Sequence, residues 1–333
     1  MAAPPIGSHA GRSDNGFLDA RQHPVSTFPV DVDTASYAHV KRFIEGRRLP
    51  PAEAVRIEEL LNYFSYRYPG PVATAGADPG APVAASLEVA GAPWAPAHRL
   101  VRIGLKGREV AAAERPAAHP VFLPDVSGSM DAPTRLPLTI AKDVKVQVEF
   151  NPARVASYRL VGYENRARAN EEFTDDDVGA AEIGAGHTVT ALYEIVPVGA
   201  KGETAAGTRA GGEIDEFRSA PKSAAPEAPA DGADELLTVK LHYKDPKGGA
   251  SRRIEFPLVD RGGEFAKASA DFRFAAAVAE FGMILRSSPN RGNATLSDVL
   301  AWPADAADSP ADDPDGQRGE FLDLVRKTQL LME

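Results

Sequence analysis

Apolar residues recur at helical spacing near both ends of the chain and alternate with polar ones through its middle. Phe28-Pro-Val-Asp-Val-Asp33 reads as a short strand leading to a helix. Asp33 or Thr34 would cap that helix, and Tyr37, Val40, Phe43 and Ile44 mark its apolar face. Leu49-Pro-Pro51 stops it, and Pro51 sits near the start of a second helix, Ala52 to Phe64, with Val55, Leu60, Leu61 and Phe64 apolar. From Val83 the period becomes two. Leu87 and Val89 alternate with polar neighbours, as do Val101, Ile103 and Leu105, and then Val144, Val146, Val148 and Phe150. Tyr158 to Tyr163, Val189 to Ile195, Leu237 to Tyr243 and Ile254 to Leu258 continue the series. About seven half-buried strands, each with one wet face, predict antiparallel sheets packed as a sandwich. Gly248-Gly249, after Asp245-Pro-Lys, reads as a hairpin turn.

Beyond residue 265 the helical period returns. Ser269 or Asp271 caps a helix carrying Phe274, Val278, Phe281, Ile284 and Leu285, which Ser288-Pro-Asn290 ends. A short helix around Leu296–Leu300 and a last one, Phe321 to Leu331, follow. The fold class is therefore α+β: a mainly antiparallel β-sandwich with an N-terminal helical pair and C-terminal helices. Its parts are a disordered arm (1–26), a helical flank (27–69), a discontinuous sandwich (83–110 and 141–260) and a helical region (265–333). Residues 69–82 form a linker, and 200–234, almost free of large apolar residues, a disordered excursion between strands. The aromatic cluster Tyr63, Phe64, Tyr66 and Tyr68 packs the helical pair against the next domain.

Composition narrows the function. A net charge of −10 argues against nucleic acid, which would call for a basic patch. With no cysteine there is no disulfide, thiolate nucleophile or Cys-ligated zinc. No apolar run approaches the roughly 20 residues of a membrane helix. The opening residues lack a basic and an apolar region, so the chain as written is expected to carry no export signal.

One short run offers metal chemistry. The apolar Val121 to Leu123 leads into Asp125-Val-Ser-Gly-Ser129, the pattern D-x-S-x-S. Asp125, Ser127 and Ser129 supply one carboxylate and two hydroxyls, the hard oxygen ligands that Mg²⁺ or Mn²⁺ prefers. Such a set leaves the ion charge enough to take a partner's carboxylate. Asp31 and Asp33 read as a helix cap and its neighbour, with nothing near to complete a shell. Asp308 to Gly316 lacks the first and twelfth carboxylates of a calcium loop and reads as an acidic loop before a helix. None of the seven histidines stands in a catalytic spacing, and no phosphate-cradling glycine loop occurs. His187 is the best lone candidate for a base, and a loop histidine bonded to backbone is its plainer reading. The chain is expected not to be an enzyme.

Longer runs carry a resemblance. They are Ser26-Thr-Phe-Pro-Val-Asp-Val-Asp-Thr-Ala-Ser-Tyr37, Val55-Arg-Ile-Glu-Glu-Leu-Leu-Asn-Tyr-Phe64 and Leu100-Val-Arg-Ile-Gly-Leu-Lys-Gly-Arg108. Ala141-Lys-Asp-Val-Lys-Val-Gln-Val-Glu-Phe-Asn-Pro152 and Tyr158-Arg-Leu-Val-Gly-Tyr-Glu-Asn165 follow. Gly184-Ala-Gly-His-Thr-Val-Thr-Ala-Leu-Tyr-Glu194 and Asp271-Phe-Arg-Phe-Ala-Ala-Ala-Val-Ala-Glu-Phe-Gly282 complete the set. Together they resemble a bacterial family of von Willebrand factor A-domain proteins. The resemblance implies an N-terminal flank, a central doubly wound A domain, and a β-rich and helical C-terminal region. It also implies exported or membrane-anchored proteins that bind other macromolecules.

The chain departs from that family at its centre. Twelve residues separate Met130 from Asp143, too few for even one βαβ unit of roughly 30 residues. The A domain is thus expected to be reduced to a remnant, 119–138, holding its first strand and metal loop. In the family the metal ion-dependent adhesion site also takes a threonine and an aspartate from two further loops. Only Asp125, Ser127 and Ser129 carry over, so a Mg²⁺ or Mn²⁺ site is expected to be incomplete. The partner is expected to be a protein, either through such a site or through a metal-independent sandwich surface. Self-association through the stranded Val121–Leu123 is a further expectation.

Overall fold

The period-two runs are strands, and the seven expected from them are all present. The computed structural model describes residues 14–71, 80–110, 138–164, 181–200, 234–303, 313 and 315–333. Among them the elements run β1 (Leu18–Asp19), β2 (Val25–Phe28), α1 (Ala35–Glu45), α2 (Ile57–Tyr63), β3 (Val83–Ala92), β4 (Ala95–Gly107) and β5 (Thr139–Phe150). Then come β6 (Val155–Val161), β7 (Ala181–Gly184), β8 (Thr188–Pro197), β9 (Glu235–Lys244), β10 (Arg252–Val259), α3 (Ala270–Leu285), α4 (Leu296–Ala301) and α5 (Gln317–Met332). Sheet I has the order β1-β6-β8-β4-β3. Sheet II has the order β10-β9-β5-β2, with β7 pairing the first part of β5, and every pairing is antiparallel.

The two sheets close on one apolar cluster. Val101, Ile103 and Leu105 of β4 and Ile195 of β8 meet Val146, Val148 and Phe150 of β5 and Val239 and Leu241 of β9. Phe150 stacks on Tyr158 across the gap, ring centroids 3.7 Å apart. The Tyr158 hydroxyl lies against the His23 and Val25 carbonyls at 2.8 and 3.1 Å, tying in β2.

The helices cover the outer face of sheet I and make a third layer. Leu100, Val161 and Leu192 there join Tyr37, Leu60, Leu61, Phe64, Phe274, Phe281 and Phe321 in a second cluster. This corrects the expectation of one wet face per strand. Sheet I is covered on both sides, and its polar alternates Arg102, Arg159, Thr190 and Glu194 are buried. The aromatic cluster does pack the flank onto the sheet. Gly104 makes room for Tyr68, since an added Cβ would lie 2.3 Å from the ring. The Tyr68 hydroxyl meets Thr190 Oγ1 at 2.8 Å.

Several local expectations also change. Residues 14–26, expected as part of a disordered arm, are held in the fold: β1 pairs β6, β2 pairs β5, and Ala20 is fully buried. The strand before α1 is Val25–Phe28 and stops at Pro29, which has no N–H to donate. The expected helix Ala52–Phe64 is broken. Ala52–Ala54 is a 3-10 turn, Val55 and Arg56 are extended, and α2 begins at Ile57. Ser36 explains the break: its hydroxyl donates to Ala54 O and accepts from Arg56 N, taking the place of helical bonds. Ser269 caps α3 as expected, accepting from Phe272 N. The last helix starts four residues early, at Gln317, because left-handed Gly316 turns the chain and Asp313 accepts from Arg318 N and Gly319 N.

Candidate functional site

The D-x-S-x-S residues Asp125, Ser127 and Ser129 lie outside the described residues, as do most of 200–234 and of the remnant 119–138. The structure does describe how the chain leaves for that stretch and how it returns. β4 belongs to sheet I and β5 to sheet II, yet the end of one and the start of the other meet at a single turn, Gly184 to His187, between β7 and β8. Ala185 N–H donates to Leu138 O at 2.8 Å, and Gly186 N–H donates to Arg108 O at 3.2 Å. Gly107 N–H in turn donates to His187 O at 2.8 Å, and Arg108 N–H to Pro82 O at 2.7 Å. The ladders agree with this grip: Thr139 is opposite Gly184, and Lys106 is opposite Thr188.

Two glycines let this neck close. A Cβ on Gly107 would lie 2.6 Å from Gly184 O and 2.9 Å from the Ile140 side chain, so no larger residue fits between the strands. Gly186 has φ +75°, in the left-handed region that glycine enters without cost. Thr139 Oγ1 donates to Glu182 at 2.7 Å, and Val110 packs on the sandwich core beside the neck.

His187 therefore has a structural place. Its backbone makes the turn's bonds, and among the described residues its ring is bonded to no hydroxyl or carboxylate. Burial lowers its pKa below the ordinary imidazole range, with Asp31 pulling the other way. An open cavity of about 250 Å³ lies elsewhere, beside β3, lined by Glu88, Glu264 and Lys267. Among the described residues no three His, Asp or Glu side chains gather to hold a metal ion.

A second constellation escaped the sequence reading. Under the helices, Glu194 of β8 accepts from Trp94 Nε1 (3.0 Å) and from Arg159 Nε (2.8 Å) of neighbouring β6. Arg159 Nη2 is 2.5 Å from the same carboxylate, and His98 Nδ1 is 2.5 Å from its other oxygen. Burial alone would raise the Glu194 carboxyl, but the His98, Arg159 and Trp94 donors outweigh it and hold the carboxyl below the ordinary range. Beside it, Arg102 pairs with Glu88 at 2.9 Å, directly across β4 and β3. The one available signal was charge inside β-branched and aromatic runs, and it reads equally well as a wet face.

Comparison with known proteins fits this layout. Residues 136–331, more than half the chain, match the family described as "Uncharacterized protein YfbK, C-terminal". The chain belongs to this family. The match starts just ahead of Leu138 in the neck and runs through β5–β10 and α3–α5. A family model described as von Willebrand factor matches residues 7–102, which hold the helical flank and reach into β4. Neither match includes Asp125, Ser127 or Ser129, which stand in the stretch between them. YfbK of Escherichia coli (strain K12) is 26% identical over 486 residues, covering 98% of this YfbK-family chain and 81% of that protein. An alignment longer than the 333 residues present here leaves well over a hundred residues of the relative with no counterpart. No solved structure matches. Among the described residues no helix is long and apolar enough to cross a membrane.

Proposed function

We propose that this YfbK-family chain is a non-catalytic binding or scaffolding protein. In this reading the three-layer body is a host, and the neck is the point from which the family's ligand-binding domain projects. The observation that carries it is the pair of bonds from one turn to Arg108 and Leu138. A host keeps its fold around an insert when the insert's two ends emerge side by side at an exposed point. The von Willebrand factor likeness of the N-terminal part supports a binding role.

Of the ligands that the resemblance implies for a Mg²⁺ or Mn²⁺ adhesion site, Asp125, Ser127 and Ser129 carry over to this sequence. No described carboxylate cluster stands ready to complete it. Three ligands from one short run of sequence, without those of the family's two further loops, would hold such an ion weakly. We therefore read metal-dependent binding as impaired or lost, and the remaining partner as a protein held by the sandwich or helical surfaces. Affinity capture with the purified chain, with and without EDTA, tests this. Recovery of the same partner in both supports the reading. Capture abolished by EDTA and restored by Mg²⁺ would show an intact metal site and overturn it.

A further inference from the structure

Glu280 stands in the middle of α3 and is fully buried, and among the described residues neither of its carboxyl oxygens has a hydrogen-bond partner. The charges that bear on it are Arg159 from β6, Glu194 from β8, Arg291 from the loop after α3, and Asp298 from α4. His98 of β4 stands behind Glu194. Arg159 is the cation that bears most on it, but it is already committed to Glu194 through two nitrogens and touches the Met283 sulfur at 3.4 Å. An ionised Glu280 would thus face a like charge inside an apolar layer. Burial pushes its carboxyl up to about 9, against the pull of Arg159 and Arg291.

We propose that the seat of α3 on sheet I is a proton-held joint, closed while Glu280 is neutral and loosened when it ionises opposite Glu194. The joint reaches beyond α3. Arg286, just past its last turn, pairs with Asp14 at 2.8 Å and Glu164 at 3.1 Å, and Ser288 bonds Asp14 as well. Loosening α3 therefore weakens the hold on the N-terminal run and on the end of the β6 segment, where Gly162 and Tyr163 are both left-handed (φ +79° and +65°).

The chain contains its own reporters. Its two tryptophans, Trp94 and Trp302, both stand at this joint, ring centroids 6.5 Å apart, and Trp94 donates to Glu194. Tryptophan emission should change reversibly with a midpoint near pH 9 while far-UV circular dichroism stays constant. Glu280→Gln should remove that transition, and hydrogen exchange should localise the opening to α3 in the wild type alone. The same transition in both proteins, or a flat wild-type profile up to pH of about 10, would overturn the proposal. So would opening spread evenly over the whole chain.

Discussion

The two faces of sheet I are built from the same strands by opposite means. Toward sheet II, β4 and β8 present Val101, Ile103, Val189, Tyr193 and Ile195 to a core of apolar side chains. Toward the helices the same strands present Arg102 and Glu194, Arg159 joins from β6, and ion pairs run between neighbouring strands beneath apolar helices. A polar residue at every second position thus says which face it lies on, but not whether water reaches it. The helical layer covers these charges only because each is matched across the ladder, Glu88 with Arg102 and Arg159 with Glu194. Unmatched burial of such groups costs several kcal/mol per charge.

The contrast can be broken most forcefully at Glu194. Glu194→Ala strips Arg159, His98 and Trp94 of their shared acceptor and should cost about 3–5 kcal/mol in urea unfolding. Leu241→Ala, in the apolar core that sheet II packs against the other face, should cost a comparable ~2–5 kcal/mol by leaving a cavity. The faces differ in their rescue. Replacing both members of the pair, Arg159→Met with Glu194→Leu, should restore most of the lost stability. If that double variant is as unstable as Glu194→Ala, the pairing account of this face is wrong.

Gly104→Ala comes next. It drives a methyl group into the Tyr68 ring and displaces a hydroxyl from Thr190, for about 1–3 kcal/mol measured in the same way. A change below ~0.5 kcal/mol would mean that Tyr68 moves freely on the sheet.

Glu280 sharpens the comparison through pH. Its folded pKa lies above the unfolded one, so its contribution is fully present below about 4.5 and is lost as pH rises toward about 9. Wild-type stability should therefore fall relative to Glu280→Gln across that window, by at most about 1.4 kcal/mol per pH unit. Parallel stability curves for the two proteins would refute it. The smallest effect belongs to the exposed pair Arg326–Asp323, where Asp323→Ala should change stability by no more than ~0.5 kcal/mol.

Periodicity made the seven long strands, α3 and its Ser269 cap legible in advance, because each buries a regular row of side chains. It could not reveal β1 and β2, whose buried apolar content near Ala20 and Phe28 is too sparse to show a period. Nor could it show the break at Val55, which depends on the Ser36 hydroxyl some twenty residues away. The candidate site divides in the same way. Asp125, Ser127 and Ser129 are visible by spacing alone. The neck is made by backbone bonds between Ala185 and Leu138 and between Gly186 and Arg108, which leave no mark on side-chain pattern beyond the glycines themselves. If the neck is what holds the host together there, replacing residues 111–137 with a short Gly-Ser linker should leave the melting temperature unchanged. A large drop would assign that stretch to the core.

On the proposed reading, this chain keeps the host body while metal-dependent binding through Asp125, Ser127 and Ser129 is impaired or lost. Isothermal titration of Mg²⁺ and of Mn²⁺ into the wild type and Asp125→Ala tests it most directly. The two proteins should give the same weak, featureless heats. Submillimolar binding by the wild type that disappears in Asp125→Ala would contradict the claim.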